Sequence, residues 1–131
     1  ATGNVAQFGV EISETAVMAS PSDSFTHLTT VLKPHGCQIG IEHMGYRPEI
    51  ISDLGSLAPD YLKIDSIYTQ NLSTNQGNRS VVSSFSGVAK SLGIDCIAEG
   101  INTLEDVDQA FALGIKGVSA CSFLIPLIVI H

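Results

Sequence analysis

The run YLKID, residues 61–65, is short, apolar at its start and charged at its end, and its reading sets that of the whole chain. CQIGI at 37–41, followed by Glu42, and DCIAEG at 95–100, with Glu99 near its end, are likewise short and largely apolar before a charge. Each is bounded by Gly, Pro or Asp and is too short for a stable helix, so each reads as a buried strand. Residues 7–12 and 117–123 repeat the type, which predicts strands at 7–12, 37–42, 61–65, 95–99 and 117–123. Helical patterns separate them. Phe25, Leu28, Val31 and Leu32 recur at helical spacing within residues 22–32, and Pro34-His35-Gly36 stops the run. Residues 48–57 and 81–92 behave likewise. The last helix, 104–113, opens with Thr103 three residues ahead of Asp106, a variant of the capping box, and closes at Gly114.

Strand and helix alternate throughout, which predicts an α/β fold with a parallel sheet and right-handed crossovers. Parallel strands covered on both faces are apolar, so charges at their C-terminal ends carry information. Glu11, Glu42, His43, Lys63, Asp65 and Glu99 all lie at such ends. In a (β/α)8 barrel these ends converge on the mouth where active sites are built. Ionisable groups are costly to bury unless they serve one another or a ligand, so charges on four successive strands predict one shared polar site. Converging carboxylates are hard oxygen ligands of the kind Mg2+ and Mn2+ prefer, and such ions polarise a phosphodiester and generate hydroxide. Lys63 adds a positive charge for a phosphate or a nucleophile. Its alternative reading is a structural pair with the neighbouring carboxylates. His43 reads equally as a metal ligand or as a buried, hydrogen-bonded histidine.

Composition narrows the partners. With 131 residues, 44% of them hydrophobic and 15% charged, the chain is expected to form one globular unit over 1–131. Thirteen Asp and Glu against six Lys and Arg give a net charge of -7, which argues against duplex nucleic acid. A small nucleotide stays open, because metal ions neutralise phosphates locally. Cys37, Cys96 and Cys121 are odd in number and outside any CxxC spacing, so they read as buried thiols in a reducing compartment. No apolar run approaches the roughly 20 residues that span a bilayer, and no signal-peptide pattern opens the chain. A cytoplasmic location is expected, alone or within a membrane-anchored parent. The apolar tail LIPLIVIH, residues 124–131, reads as either a final strand or a packing arm.

Four ordered motifs then suggest a family. VEISE at 10–14 resembles the E-x-T-E strand of EAL domains, IEHMG at 41–45 their DDFG motif, YLKID at 61–65 their KID motif, and IAEGINT at 97–103 their AEGVET motif. GIKGVSACSFLIP at 114–126 resembles the family's closing strand. The resemblance covers nearly the whole chain. It implies the C-terminal part of a TIM-like (β/α)8 barrel, about five strands and four helices, with the family's first three strands lacking a counterpart upstream of residue 7. It also implies a cyclic di-GMP site. In it Glu11, Glu42, His43 and Glu99 stand at metal-ligand positions, Lys63 and Glu99 at catalytic positions, and Glu11, Glu42, Lys63 and Asp65 at ligand-binding positions. Glu14 would steady the loop after the DDFG-like strand. Mg2+ or Mn2+ is implied for a hydrolytic form, and a chain that by itself holds no cofactor is the alternative.

Departures from the family pattern shift the expectation. The tandem aspartates are Glu42-His43, the following loop is YRPEII with Pro48 restricting Arg47, the second Glu of AEGVET is Asn102, and Ser119 takes the usual Gln position. Two-metal hydrolysis requires well-placed ligands for both ions, so the expectation is a degenerate module that binds cyclic di-GMP or a protein partner with hydrolysis lost or weak. An active metal-dependent phosphodiesterase and a non-binding dimerisation fragment are the alternatives. Five strands cannot close an eight-stranded barrel, and open strand edges favour association. A second copy, or other domains of a parent chain, is therefore an expected partner.

Overall fold

The computed structural model describes residues 9–19, 22–119 and 127–130. Among the described residues six strands form one sheet: β1 (Gly9–Ser13), β2 (Gln38–Met44), β3 (Tyr61–Ile64), β4 (Asp95–Glu99), β5 (Gly117–Ser119) and β6 (Leu127–Ile130), in the order β5-β4-β3-β2-β1-β6. Every neighbouring pair is parallel, as the strand and helix alternation requires. Residues 127–130 of the tail are thus a strand, set beside β1 with Gly9 opposite Leu127, and the rest of the tail lies outside the described residues. The expected strand at 117–123 is described only to Ser119, and its remainder lies outside the described residues.

Helices connect the strands: α1 (Glu14–Ala19), α2 (Ser22–Leu32), α3 (Leu54–Leu57), α4 (Ser66–Thr69), α5 (Gln76–Leu92) and α6 (Leu104–Ala112). The predicted helix over 48–57 is a 3-10 segment, Pro48–Asp53, leading into the short α3. Pro48 stands in the first turn of that segment, where its fixed φ and missing N–H are tolerated. The predicted 81–92 helix begins earlier, at Gln76, because the Asn75 side chain accepts a hydrogen bond from Asn78 N–H at 2.9 Å. It ends at Gly93, whose φ of 73° is left-handed. Among the described residues no helix is long and apolar enough to cross a membrane.

Period-2 alternation gives the sheet two chemistries. Ile39, Ile41, Leu62, Ile64, Cys96 and Ala98 are buried against Val82, Phe85 and Ala89 of α5 and against Phe25, Leu54 and Leu57. Val82, Phe85, Ser86 and Ala89 recur at i, i+3, i+4 and i+7 and so form one helix face. The opposite face, traced through the register, carries Glu11, Gly40, Tyr61, Lys63 and Glu99. A Leu62→Ala change at the centre of the dry face, where Leu62 is fully buried, is expected to cost about 3 kcal/mol in urea denaturation. Cys96 is buried, and burial pushes its thiol up to about 12, whereas Cys37 is only half-buried.

Asp106 does more than open a helix. Thr103 accepts a hydrogen bond from Asp106 N–H at 3.2 Å, while the Asp106 carboxylate accepts from Asn71 N–H at 3.1 Å and Ser73 N–H at 3.0 Å. It therefore ties the α6 start to the loop ahead of α5. Burial raises its pKa, but the hydrogen bonds from Ser73, Thr103 and Asn71 together outweigh burial and hold it below the usual carboxylate range. A depressed folded value means stability present above the unfolded pKa and lost as pH falls through the folded one. Asp106→Asn is expected to be about 1 kcal/mol less stable at pH 7, with the difference shrinking through acid pH. Thermal melts from pH 7 to pH 2 measure this.

Candidate ligand and metal site

The charged strand ends gather at the C-terminal edge of the sheet. Lys63, on β3, is buried, with its Nζ 2.5 Å from Glu11 Oε2 on β1 and 3.9 Å from Glu99 Oε1 on β4. One ammonium therefore bridges carboxylates contributed by strands on either side of its own. Glu11 is only 2% exposed, and a carboxylate so buried needs a cation or hydrogen-bond donors beside it. Its Oε2 also accepts a hydrogen bond from the Tyr61 hydroxyl at 2.7 Å. Burial foremost, then that hydrogen bond, pushes the Tyr61 phenol far above its ordinary value, so it remains a donor at any working pH.

Beside this pair lies a second cluster. The register between β2 and β3 shifts between Ile41 and Met44, and His43 has a left-handed φ of 56°. Irregularity of this kind re-aims a side chain. It brings His43 Nε2 to 3.6 Å from Glu42 Oε1 and His43 Nδ1 to 3.7 Å from Asp65 Oδ1. Donor atoms of His43, Asp65 and Glu99 all lie within 4.8 Å of one another. One imidazole nitrogen and two carboxylate oxygens suit a single divalent cation. Burial raises the Glu99 pKa, with Lys63 and then His43 opposing it.

Asp65, read from sequence as the end of a strand, is instead the N-cap of α4: its Oδ1 accepts from Ser66 N–H at 2.7 Å. The Tyr46 hydroxyl donates to its other oxygen, and that bond raises the Tyr46 phenol to about 12. Tyr46 packs edge-on to Tyr68, with ring centroids 5.2 Å apart. Gly45 makes the approach possible, since a Cβ there would sit 2.5 Å from the Tyr68 ring and its φ is +131°. The loop is held from below by Glu14, fully buried at the start of α1. The Glu14 carboxylate accepts from Gly45 N–H at 3.2 Å, Tyr46 N–H at 3.0 Å and Arg47 N–H at 3.0 Å. Burial raises its pKa, and the three N–H groups oppose that rise.

The strand-end residues singled out from sequence fall into three groups. Glu11, Lys63 and Glu99 form one chain of charge; His43, Asp65 and Glu99 form the cation-sized cluster; Glu42 is buried beside His43. Asn102 points elsewhere, its Nδ2 donating to Gln70 Oε1 at 3.4 Å, while Ser119 lies opposite Glu99 in the register. Tyr61 and Tyr46 were missed, because a tyrosine in or beside a strand reads as packing. The available signal was position: Tyr61 stands two residues before Lys63, on the same face of β3.

A parallel α/β sheet whose charged strand ends meet at one edge is the arrangement of a segment of a TIM-like (β/α)8 barrel. The EAL domain family model matches residues 2–119, and the chain belongs to that family. It is 26% identical over 117 residues to the cyclic di-GMP phosphodiesterase RocR of Pseudomonas aeruginosa, covering 89% of this chain and 30% of that protein. Among solved structures it is similar to Klebsiella pneumoniae BlrP1 in a manganese and cyclic di-GMP complex, with a TM-score of 0.76, 26% identity and coverage of 86% and 29%. The EAL domain of Mycobacterium smegmatis DcpA matches with a TM-score of 0.74, 29% identity and coverage of 82% and 47%. The chain thus spans less than half the length of each of these proteins.

Proposed function

We propose that this chain is an EAL module that binds cyclic di-GMP through its strand-end site and has lost hydrolysis or retains little of it. The observation carrying this reading is the 2.5 Å contact between Lys63 Nζ and Glu11 Oε2. A cation drawn to Glu11 must displace that buried ammonium, which opposes a second metal ion on the residue. The cluster of His43, Asp65 and Glu99 would hold one ion, whose part is to neutralise a phosphate. Lys63 adds a positive charge for the other phosphate, and Glu14 keeps the loop bearing Tyr46 and Arg47 at the edge of the site. Hydrolysis that used two ions would need both to be well ligated, and Glu42-His43 gives different reach and charge from the paired aspartates of the family motif.

The relatives named as cyclic di-GMP phosphodiesterases favour a second reading, in which Glu42 and His43 still hold Mg2+ or Mn2+ for an active, metal-dependent cleavage. Calorimetric titration separates the readings from a chain that binds nothing. Cyclic di-GMP should give saturable heat in the presence of Mn2+ or Mg2+, weakened when EDTA removes the ion. His43→Ala should lower Mn2+ affinity at least about tenfold. Absence of heat with either ion would sink the binding reading for this chain.

A further inference from the structure

Glu11, Gly40 and Tyr61 are in register on three adjacent strands: Glu11 lies opposite Gly40, and Gly40 opposite Tyr61. Residues so aligned share one face, so the row runs directly across the sheet. Gly40 is the gap in it. A Cβ at that position would lie 2.2 Å from the Tyr61 ring, so no other residue fits beneath the ring as it stands. The empty position lets the phenol of β3 lie over β2 and deliver its hydroxyl to Glu11 on β1, at 2.7 Å. Lys63 comes from the same strand two residues later and reaches the same oxygen, Glu11 Oε2, at 2.5 Å. Two donors on one oxygen hold the carboxylate in a single orientation. The Tyr61 ring centroid lies 6.0 Å from Lys63 Nζ, a favourable distance for a cation near an aromatic face.

We infer that Tyr61 is a positioning residue: seated over Gly40, it fixes the Glu11 carboxylate, and through Glu11 it fixes where the Lys63 ammonium presents its charge. Without the hydroxyl, Glu11 Oε2 loses one of its two donors and the carboxylate turns more readily toward whatever cation enters, with the Lys63 ammonium following it. The consequence for ligand affinity rests on the proposed reading of this pair as part of the dinucleotide site; the ordering of Lys63 does not.

Tyr61→Phe tests this, since it keeps the ring over Gly40 and removes only the hydroxyl. Two readouts are needed. In a proton–nitrogen correlation spectrum of the lysine ammonium groups, Lys63 should give a slowly exchanging signal in the unaltered chain and exchange at least about fivefold faster in Tyr61→Phe. Cyclic di-GMP affinity in the presence of Mn2+ should fall about tenfold, and the same change made on a Glu11→Gln background should cause no further loss. A role in packing alone would shift the melting temperature while leaving both readouts untouched. Unchanged ammonium exchange overturns the inference, and so does an affinity loss that is fully additive with Glu11→Gln. If the unaltered chain binds no cyclic di-GMP, the functional reading falls, and the ammonium exchange rate alone decides the place of Tyr61.

Discussion

Lys63→Met is expected to lower the unfolding free energy by about 3 kcal/mol, because it leaves a carboxylate buried without its cation. Glu11 is 2% exposed and Lys63 7% exposed, so water replaces neither partner cheaply. Urea denaturation at pH 7 measures the loss, and Glu11→Gln combined with Lys63→Met should recover most of it, since a buried ion pair is worth little against a neutral pair of similar shape. The pH dependence should change as well. Burial raises Glu99 in the folded chain, and Lys63 is the strongest opposing influence. A carboxylate whose folded pKa is raised contributes stability below its unfolded value and loses it as pH rises through the folded value. Removing Lys63 raises Glu99 further. As pH falls from 7, the Lys63→Met protein should therefore gain stability relative to the unaltered chain; a parallel pH profile would contradict the coupling.

Glu14→Ala is the second large effect. The three backbone N–H groups of Gly45, Tyr46 and Arg47 depend on one buried carboxylate, and its loss leaves them to find water at the base of a turn. A cost of about 2–3 kcal/mol is expected. It should fall locally, and amide exchange at residues 45–47 should quicken roughly 100-fold while the amides of β2 and β3 are little changed. With the loop released, Tyr46 loses its hold on Asp65 and Mn2+ affinity should decline. Exchange that quickened evenly across the sheet would show instead that Glu14 supports the whole fold.

The charged strand ends were legible because parallel strands covered on both faces are apolar runs, against which a charge near the C-terminal end stands out. That pattern marked Glu11, Lys63 and Glu99 without any structure. Three features were hidden for physical reasons. The register shift near His43 carries no pattern in the residues, since a left-handed φ in a histidine follows from the surrounding sheet. Helices α1 and α4 have six and four residues, too few to display a 3.6-residue repeat. Asp65 looked like the last residue of a strand, but a carboxylate that can accept from the next N–H is equally a helix cap, and the structure uses it so. The tail left two readings open because its apolar run has no period, and only pairing with β1 distinguishes a strand from an arm.

Recovery of the dinucleotide after binding tests the central claim most directly. The chain is incubated with cyclic di-GMP and Mn2+ at concentrations where calorimetry shows the site filled, and the nucleotide is then released and separated by chromatography. Binding without hydrolysis predicts intact cyclic di-GMP, one equivalent retained per site, over many hours. Steady accumulation of the linear dinucleotide pGpG, abolished by Lys63→Met and by EDTA, would contradict it and establish a working phosphodiesterase.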